Sequence, residues 1–144
     1  LNPRLKHTRH RVEVDSPADL EMESHPGSIE QALVNLVENS LVHGFAGVPA
    51  GHIRISAHRQ GPDRIRMTYS DDGRGMAAEV ARHAFEPFFT THMGQGGSGL
   101  GLYILHNLVT GILGGSVNLD SGPERGTTFV LDLPRLAPES RAGE

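Results

Sequence analysis

The sequence contains no cysteine and no tryptophan, and its single lysine is Lys6. Without cysteine, disulfides, thiol catalysis and cysteine-ligated zinc are excluded. No apolar run approaches the roughly 18 residues of a membrane span. Thirteen basic and seventeen acidic residues give a net charge of −4, unlike the basic surface of a nucleic-acid-binding protein. We therefore expect a cytoplasmic domain that contacts neither nucleic acid nor membrane, whether or not its parent protein is membrane-anchored.

The hydrophobic pattern predicts one α/β domain over residues 10 to 134. Residues 1 to 9 read as a connector from an upstream domain, and residues 135 to 144 as a disordered tail. The chain begins without methionine, which indicates a piece of a longer protein. HRVEVDSP predicts a short first strand, and two pairs of period-two segments predict two hairpins.

Two helices are predicted from apolar residues at helical spacing. The first is expected to start at a capping box formed by Ser28 and Gln31 and to end at Gly44. The second is expected to begin near Gly99. Its apolar stripe is predicted to consist of Leu100, Ile104, Leu108 and Ile112.

The first helix, QALVNLVENSLVHGF, carries polar residues next to its apolar face. Asn35, Asn39 and His43 recur every four residues and therefore lie along one ridge of the helix. A single asparagine on a helix is usually solvated. Two in register, despite the poor helix propensity of asparagine, indicate amide oxygens that face a cation or a polar ligand.

The loop SDDGRGM follows a predicted strand and contains Asp71 in a D-x-G-x-G pattern. An Asp-Gly pair alone is compatible with an ordinary turn. The complete pattern favours a carboxylate that accepts a hydrogen bond from the exocyclic amine of adenine. Such a bond contributes about 1.5 to 3 kcal/mol when the acceptor is charged.

The segment GGSGLGL, residues 96 to 102, places free backbone amides before the second helix, an arrangement that can hold phosphate. A dinucleotide-binding fingerprint is a weak alternative. Gly94, Gly96 and Gly99 have its spacing and Asp120 follows at a suitable distance, but no buried strand precedes them. A P-loop is excluded because it needs a lysine in this segment.

Four blocks in this order resemble the ATP-binding catalytic domain of sensor histidine kinases, within the GHKL ATPase superfamily. QALVNLVENSLVHGF resembles the N box, DDGRGM the G1 box, FEPFFTT the F box and GGSGLGL the G2 box. The resemblance implies a two-layer α/β sandwich, with a mixed sheet packed on one layer of helices. It also implies that ATP and Mg²⁺ bind between helices, under a lid at residues 90 to 97.

The resemblance assigns roles to individual residues. Asn39 would be the magnesium ligand, Asn35 would act beside the phosphates, and these two would form the catalytic set. Asp71 would receive the adenine amine. The remaining nucleotide-binding residues implied by the family are His43, Gly73, Gly75, Met76, Phe88, Gly97, Ser98, Gly99, Leu100, Gly101 and Leu102.

The sequence departs from the family at two positions. Val42 stands where many relatives carry a basic residue that contacts phosphate, so phosphate affinity would be weaker or would depend on His43 or Arg74. Asn35 stands where ATP-hydrolysing members carry a glutamate, which favours a kinase. A nucleotide-binding module without transfer activity and a hydrolytic GHKL ATPase remain the alternatives.

The phosphoacceptor histidine of such kinases lies on a separate dimerisation domain, and nothing in residues 1 to 9 resembles that helix. The resemblance therefore implies three partners: ATP, a dimerisation and histidine-phosphotransfer domain of the same protein, and a response regulator reached through the full-length kinase.

Overall fold

The computed structural model describes residues 10–15, 25–88 and 100–136. Its strands are β1 (Arg11–Asp15), β2 (His52–Arg59), β3 (Arg64–Asp71), β4 (Ser116–Ser121) and β5 (Thr127–Pro134). Its helices are α1 (Pro26–Asn39), α2 (Ala78–Arg82) and α3 (Gly101–Asn107). A π-helical turn continues α1 through Ser40–Gly44, and another continues α3 through Leu108–Ile112. No helix in these described ranges has the length and apolarity that crossing a bilayer requires.

Within the described residues, the strands form one mixed sheet in the order β1-β2-β3-β5-β4. β1 pairs with β2 in parallel, and every other pair is antiparallel. The two predicted hairpins are therefore confirmed as β2–β3 and β4–β5. The central position of β3 brings its last residue, Asp71, opposite Thr127 at the start of β5.

The core lies between one face of the sheet and the helices. Alternate residues of the central strands point inward, as period-two side-chain geometry requires. They pack against apolar residues of α1 and α3 in a single cluster. The largest fully buried members are Tyr69, Phe129, Leu36, Ile53, Leu105, Leu113, Leu131 and Leu133. This arrangement is the predicted two-layer α/β sandwich.

The predicted start of α1 is wrong. The helix begins at Pro26 rather than near Ser28, and its N-cap residue is His25. In this turn, which lies inside the described segment 25–88, no side-chain capping bond forms. Proline at the first helical position has no N–H to satisfy and a backbone angle suited to the helix, so it replaces the capping box. Gln31 instead donates to the Asn35 side chain at 2.8 Å.

The predicted apolar stripe of the second helix is wrong at Ile104 and Ile112, although Leu108 packs against the core. Ile104 and Ile112 are 41% and 45% exposed. The buried residues are Leu102, Leu105, Val109 and Leu113. Both sets have helical spacing, and the packing against α1 and the sheet selects the second.

The corrected stripe can be tested with a matched pair of truncations. We expect Leu105→Ala to lower the free energy of unfolding by about 2 to 5 kcal/mol, because it opens a cavity at a fully buried site. Ile112→Ala, at the exposed position, should cost less than about 1 kcal/mol. Urea unfolding of both variants measures the difference. Equal losses would contradict the assignment of the buried face.

Candidate functional site

The predicted key residue, Asp71, is the last residue of β3 and is only 6% exposed. Its side chain points inward because it continues the alternation that buries Ile65 and Tyr69 on the same strand. The Ser40 hydroxyl, from the π-helical turn after α1, donates to Asp71 Oδ2 at 2.7 Å. The backbone N–H of Gly73 donates to Asp71 Oδ1 at 3.0 Å. The helix and the glycine loop therefore hold the two carboxylate oxygens from different sides.

A tyrosine lies directly behind this carboxylate. The Tyr69 hydroxyl is 2.6 Å from Ser40 Oγ and 3.1 Å from the carbonyl oxygen of Leu36, so its one hydrogen can be donated to either atom. Both Ser40 and Tyr69 are fully buried. Burial raises the pKa of Tyr69 well above its ordinary value, so the hydroxyl keeps its proton and can donate it.

Burial also raises the pKa of Asp71, because the loss of hydration outweighs the hydrogen bonds that favour the ionised form. Those bonds come from Ser40, Gly73 and Thr127. A raised carboxyl pKa contributes stability that is fully present below the ordinary pKa and is lost as pH rises through the raised value. An ionised Asp71 at neutral pH thus destabilises the fold, which is common for residues kept for function.

Three close backbone approaches require glycine around this carboxylate. A Cβ on Gly73 would lie 2.3 Å from the carbonyl oxygen of Gly44, at the end of the π-helical turn. A Cβ on Gly126 would lie 2.2 Å from the carbonyl oxygen of Asp71. Gly75 has a φ of +73°, and a Cβ there would lie 1.9 Å from the carbonyl oxygen of Gly122. The loop DDGRGM therefore passes closely between the end of α1 and the β4–β5 turn.

Hydrogen bonds secure the same loop at both sides. The Arg74 N–H donates to Gly44 O at 2.8 Å, and the Glu124 N–H donates to Arg74 O at 2.7 Å. The Met76 N–H donates to Ser121 Oγ at 2.8 Å. The loop that carries Gly73, Gly75 and Met76 is thus positioned by the helix on one side and by the β4–β5 turn on the other.

The polar ridge of α1 divides into two environments. Asn35 is 9% exposed and uses its amide within the protein, accepting from Gln31 and donating to Gly101 O at 3.2 Å. Asn39 and His43 are half-buried. Within the described part of the chain, the Asn39 side chain makes no hydrogen bond, so its amide is available to a ligand.

The hydrogen bond from Asn35 to Gly101 O brings the start of α3 against α1. Leu100, Gly101 and Leu102 stand at this start, with the Leu102 side chain buried. Phe88 lies at the end of its segment, 66% exposed and with a φ of +64°. The predicted phosphate residues Gly97, Ser98 and Gly99, and the predicted lid at residues 90 to 97, lie outside the described residues.

Sequence reasoning missed Ser40 and Tyr69 as parts of this site. A serine on a core-facing stripe, together with Tyr69 two residues before Asp71 on one strand face, is a usable signal of a buried polar network. Ser40 and Tyr69 are 29 residues apart in sequence, and only the packing of the helix layer against β3 brings them into contact.

Known proteins are similar to this chain in sequence. Residues 24–137 match the family described as histidine kinase-, DNA gyrase B-, and HSP90-like ATPase. Sensor histidine kinase ZraS of Klebsiella oxytoca is 33% identical over 118 residues, which are 82% of this chain and 24% of that protein. Sensor kinase CckA of Brucella abortus is 32% identical over 145 residues, covering 92% of this chain and 15% of that protein. The chain thus spans about a quarter or less of these relatives.

Solved structures agree in fold. The catalytic domain of histidine kinase ThkA has a TM-score of 0.76 at 25% identity, covering 92% of this chain and 85% of that one. The mycobacterial sensor histidine kinase MprB has a TM-score of 0.73 at 21% identity, covering 95% and 88%. With the family match extending over most of its length, this chain belongs to the histidine kinase-, DNA gyrase B-, and HSP90-like ATPase family, with sensor histidine kinases among its relatives.

Proposed function

We propose that this domain binds ATP with Mg²⁺ and presents the γ-phosphate to a histidine on a separate dimerisation domain of the same protein. The observation that carries the proposal is the buried Asp71 carboxylate, held between α1 and the glycine loop in a member of this ATPase family. A buried carboxylate that destabilises the fold is best explained by a ligand that needs it. The domain would work in the cytoplasm, where ATP is available, and the full-length kinase would pass the phosphoryl group to a response regulator.

Asp71 would accept a hydrogen bond from the adenine amine. The carboxylate is oriented by the Ser40 hydroxyl and the Gly73 N–H before any ligand arrives, so little ordering is needed on binding. Gly73, Gly75 and Met76 would frame the base, because the loop that carries them is held on both sides. Adenine is favoured over guanine, since guanine offers a carbonyl where adenine offers an amine.

Asn39 would hold Mg²⁺. The fit rests on its half-buried amide, which has no hydrogen-bond partner among the described residues and presents an oxygen, the ligand type that Mg²⁺ prefers. A bound Mg²⁺ would neutralise the negative charge of the phosphates. This matters because Val42 carries no positive charge that could do so. Asn35 would act next to the phosphates by holding the start of α3 through Gly101 O. His43, Phe88 and residues 97 to 102 would complete the site.

Transfer would move the γ-phosphoryl group from ATP to an imidazole nitrogen. The bond from the γ-phosphorus to the bridging oxygen breaks, a nitrogen–phosphorus bond forms, and ADP leaves. The imidazole N–H proton passes to an acidic residue of the dimerisation domain. Asn35 is not a base, so nothing at that position activates water for hydrolysis. The chain would therefore supply binding and orientation, and the partner domain would supply the nucleophile.

The base assignment is tested with Asp71→Asn and the adjacent control Asp72→Asn. We expect Asp71→Asn to weaken ATP and ADP binding at least about tenfold, because the charged acceptor is lost. Asp72 is exposed and accepts from the His52 N–H, a bond that asparagine can keep, and loss of its charge favours an ionised Asp71, so its variant should bind at least as tightly as the parent. Calorimetry with ATP, ADP and GTP provides the measurement. Equal affinity of the parent domain for ATP and GTP would contradict adenine recognition.

The metal assignment is tested with Asn39→Ala, using Asn118→Ala at an exposed position of β4 as the control. We expect Asn39→Ala to weaken Mg-ATP binding, and the deficit to shrink when Mg²⁺ is withheld, because the side chain acts through the ion. Titrations with and without EDTA separate the two conditions. A deficit of the same size in both would show that Asn39 does not act through the metal.

Phosphotransfer is tested with radiolabelled ATP, supplied to the domain alone and together with the helical dimerisation domain of its own parent protein. The domain alone should neither label itself nor release phosphate at an appreciable rate. Label should appear on a histidine of the added domain and disappear with Asp71→Asn. Nucleotide binding without any transfer would favour a binding module, and rapid phosphate release by the domain alone would favour a hydrolytic ATPase.

A further inference from the structure

A continuous chain of hydrogen-bonding groups runs from the backbone of α1 to Asp71. The Leu36 carbonyl oxygen is 3.1 Å from the Tyr69 hydroxyl, which is 2.6 Å from Ser40 Oγ, which is 2.7 Å from Asp71 Oδ2. Ser40 and Tyr69 are fully buried, so water has no access to their hydroxyl groups. The directions of these bonds are therefore set by the protein alone.

The hydrogen bonds between these groups can be donated in either of two directions, depending on whether Asp71 is protonated. When Asp71 is ionised, the Tyr69 hydroxyl donates to Ser40 and the Ser40 hydroxyl donates to the carboxylate. Leu36 O is still satisfied, because it accepts from the backbone N–H of Ser40. When Asp71 is protonated, its hydrogen points to Ser40, Ser40 donates to Tyr69, and Tyr69 donates to Leu36 O. Both states leave every hydroxyl hydrogen with an acceptor.

We propose that Ser40 and Tyr69 are positioning residues for nucleotide binding. Ser40 holds the Asp71 carboxylate in its ionised form, which can accept a hydrogen bond from the adenine amine. Tyr69 keeps the Ser40 hydroxyl directed at the Asp71 carboxylate. This inference rests on the proposed function of Asp71 as the adenine acceptor. Tyr69 acts through Ser40, so its effect is smaller than that of Ser40. Neither side chain needs to touch the ligand.

The surroundings of Asp71 make the Ser40 hydroxyl important. From α1 and its π-helical turn it meets Ser40 and the glycine backbone at Gly44, and from β5 it meets the backbone of Thr127. Among the described residues, the charged group that acts on Asp71 is Asp72, whose negative charge opposes the ionisation of Asp71, while the neighbouring Tyr69 keeps its proton. Within the described residues, hydrogen bonds rather than a cation therefore hold the ionised form, and Ser40 contributes the one side-chain donor.

The test measures ADP affinity of the domain by calorimetry across roughly pH 5 to 8. Ser40→Ala should weaken binding about tenfold near neutral pH, since a hydrogen bond to a charged acceptor is lost. The deficit should grow as pH falls, because the carboxyl without its donor takes up a proton at higher pH. Tyr69→Phe should show the same trend with a loss of about threefold. Ser70→Ala and Tyr103→Phe make the same chemical changes outside this chain of hydrogen-bonding groups, and these variants should bind like the parent.

A second measurement separates this role from ordinary packing. The ¹³C chemical shift of the Asp71 carboxyl, followed by NMR in the nucleotide-free domain, should titrate at higher pH in Ser40→Ala than in the parent. An unmoved titration, or a loss of affinity of the same size at every pH, would overturn the proposal. If Asp71→Asn itself binds ADP normally, the base assignment fails instead. If Asp71→Asn weakens binding and Ser40→Ala does not, only the positioning role fails.

Discussion

The hydrogen bond from Ser40 to Asp71 is the contact on which the candidate site depends. It joins the end of the first helical segment to the end of the central strand at a distance of 2.7 Å, and its donor Ser40 is fully buried. A buried carboxylate without such a donor would take up a proton or turn toward solvent. The helix layer and the sheet therefore meet at an ionisable carboxyl group, and its environment decides whether the group is charged and can serve as an acceptor.

The glycines around Asp71 follow from the same constraint. To hold both carboxylate oxygens, the loop after β3 has to approach the end of α1 and the β4–β5 turn at backbone contact distance. Gly73 and Gly126 permit those approaches because any side chain there would collide with a carbonyl oxygen. The cost is a raised pKa for Asp71 and some loss of stability when it ionises. Such a cost is expected where binding rather than folding determines the residue.

The distribution of charge also shapes the proposed chemistry. Residues of the described site offer one buried carboxylate, two amides and several backbone groups, and Val42 adds no positive charge near the expected phosphates. Phosphate charge would then be met by Mg²⁺ and backbone amides, together with His43 or Arg74. Asn35 ties α1 to the start of α3 through Gly101 O, so the two sides of the proposed phosphate region are mechanically linked.

The sequence by itself determined the α/β class, both hairpins and the identity of Asp71 as the residue to examine, because strand alternation and glycine loops are local patterns. The predicted start of α1 was wrong because two local signals compete there. The helix begins at Pro26 and not at the capping box predicted from Ser28 and Gln31. Only the tertiary structure decided which face of α3 is buried, since two stripes have equal helical spacing. It alone placed Ser40 and Tyr69 against Asp71, because contacts between residues about 30 positions apart arise from packing and leave no periodicity in the chain.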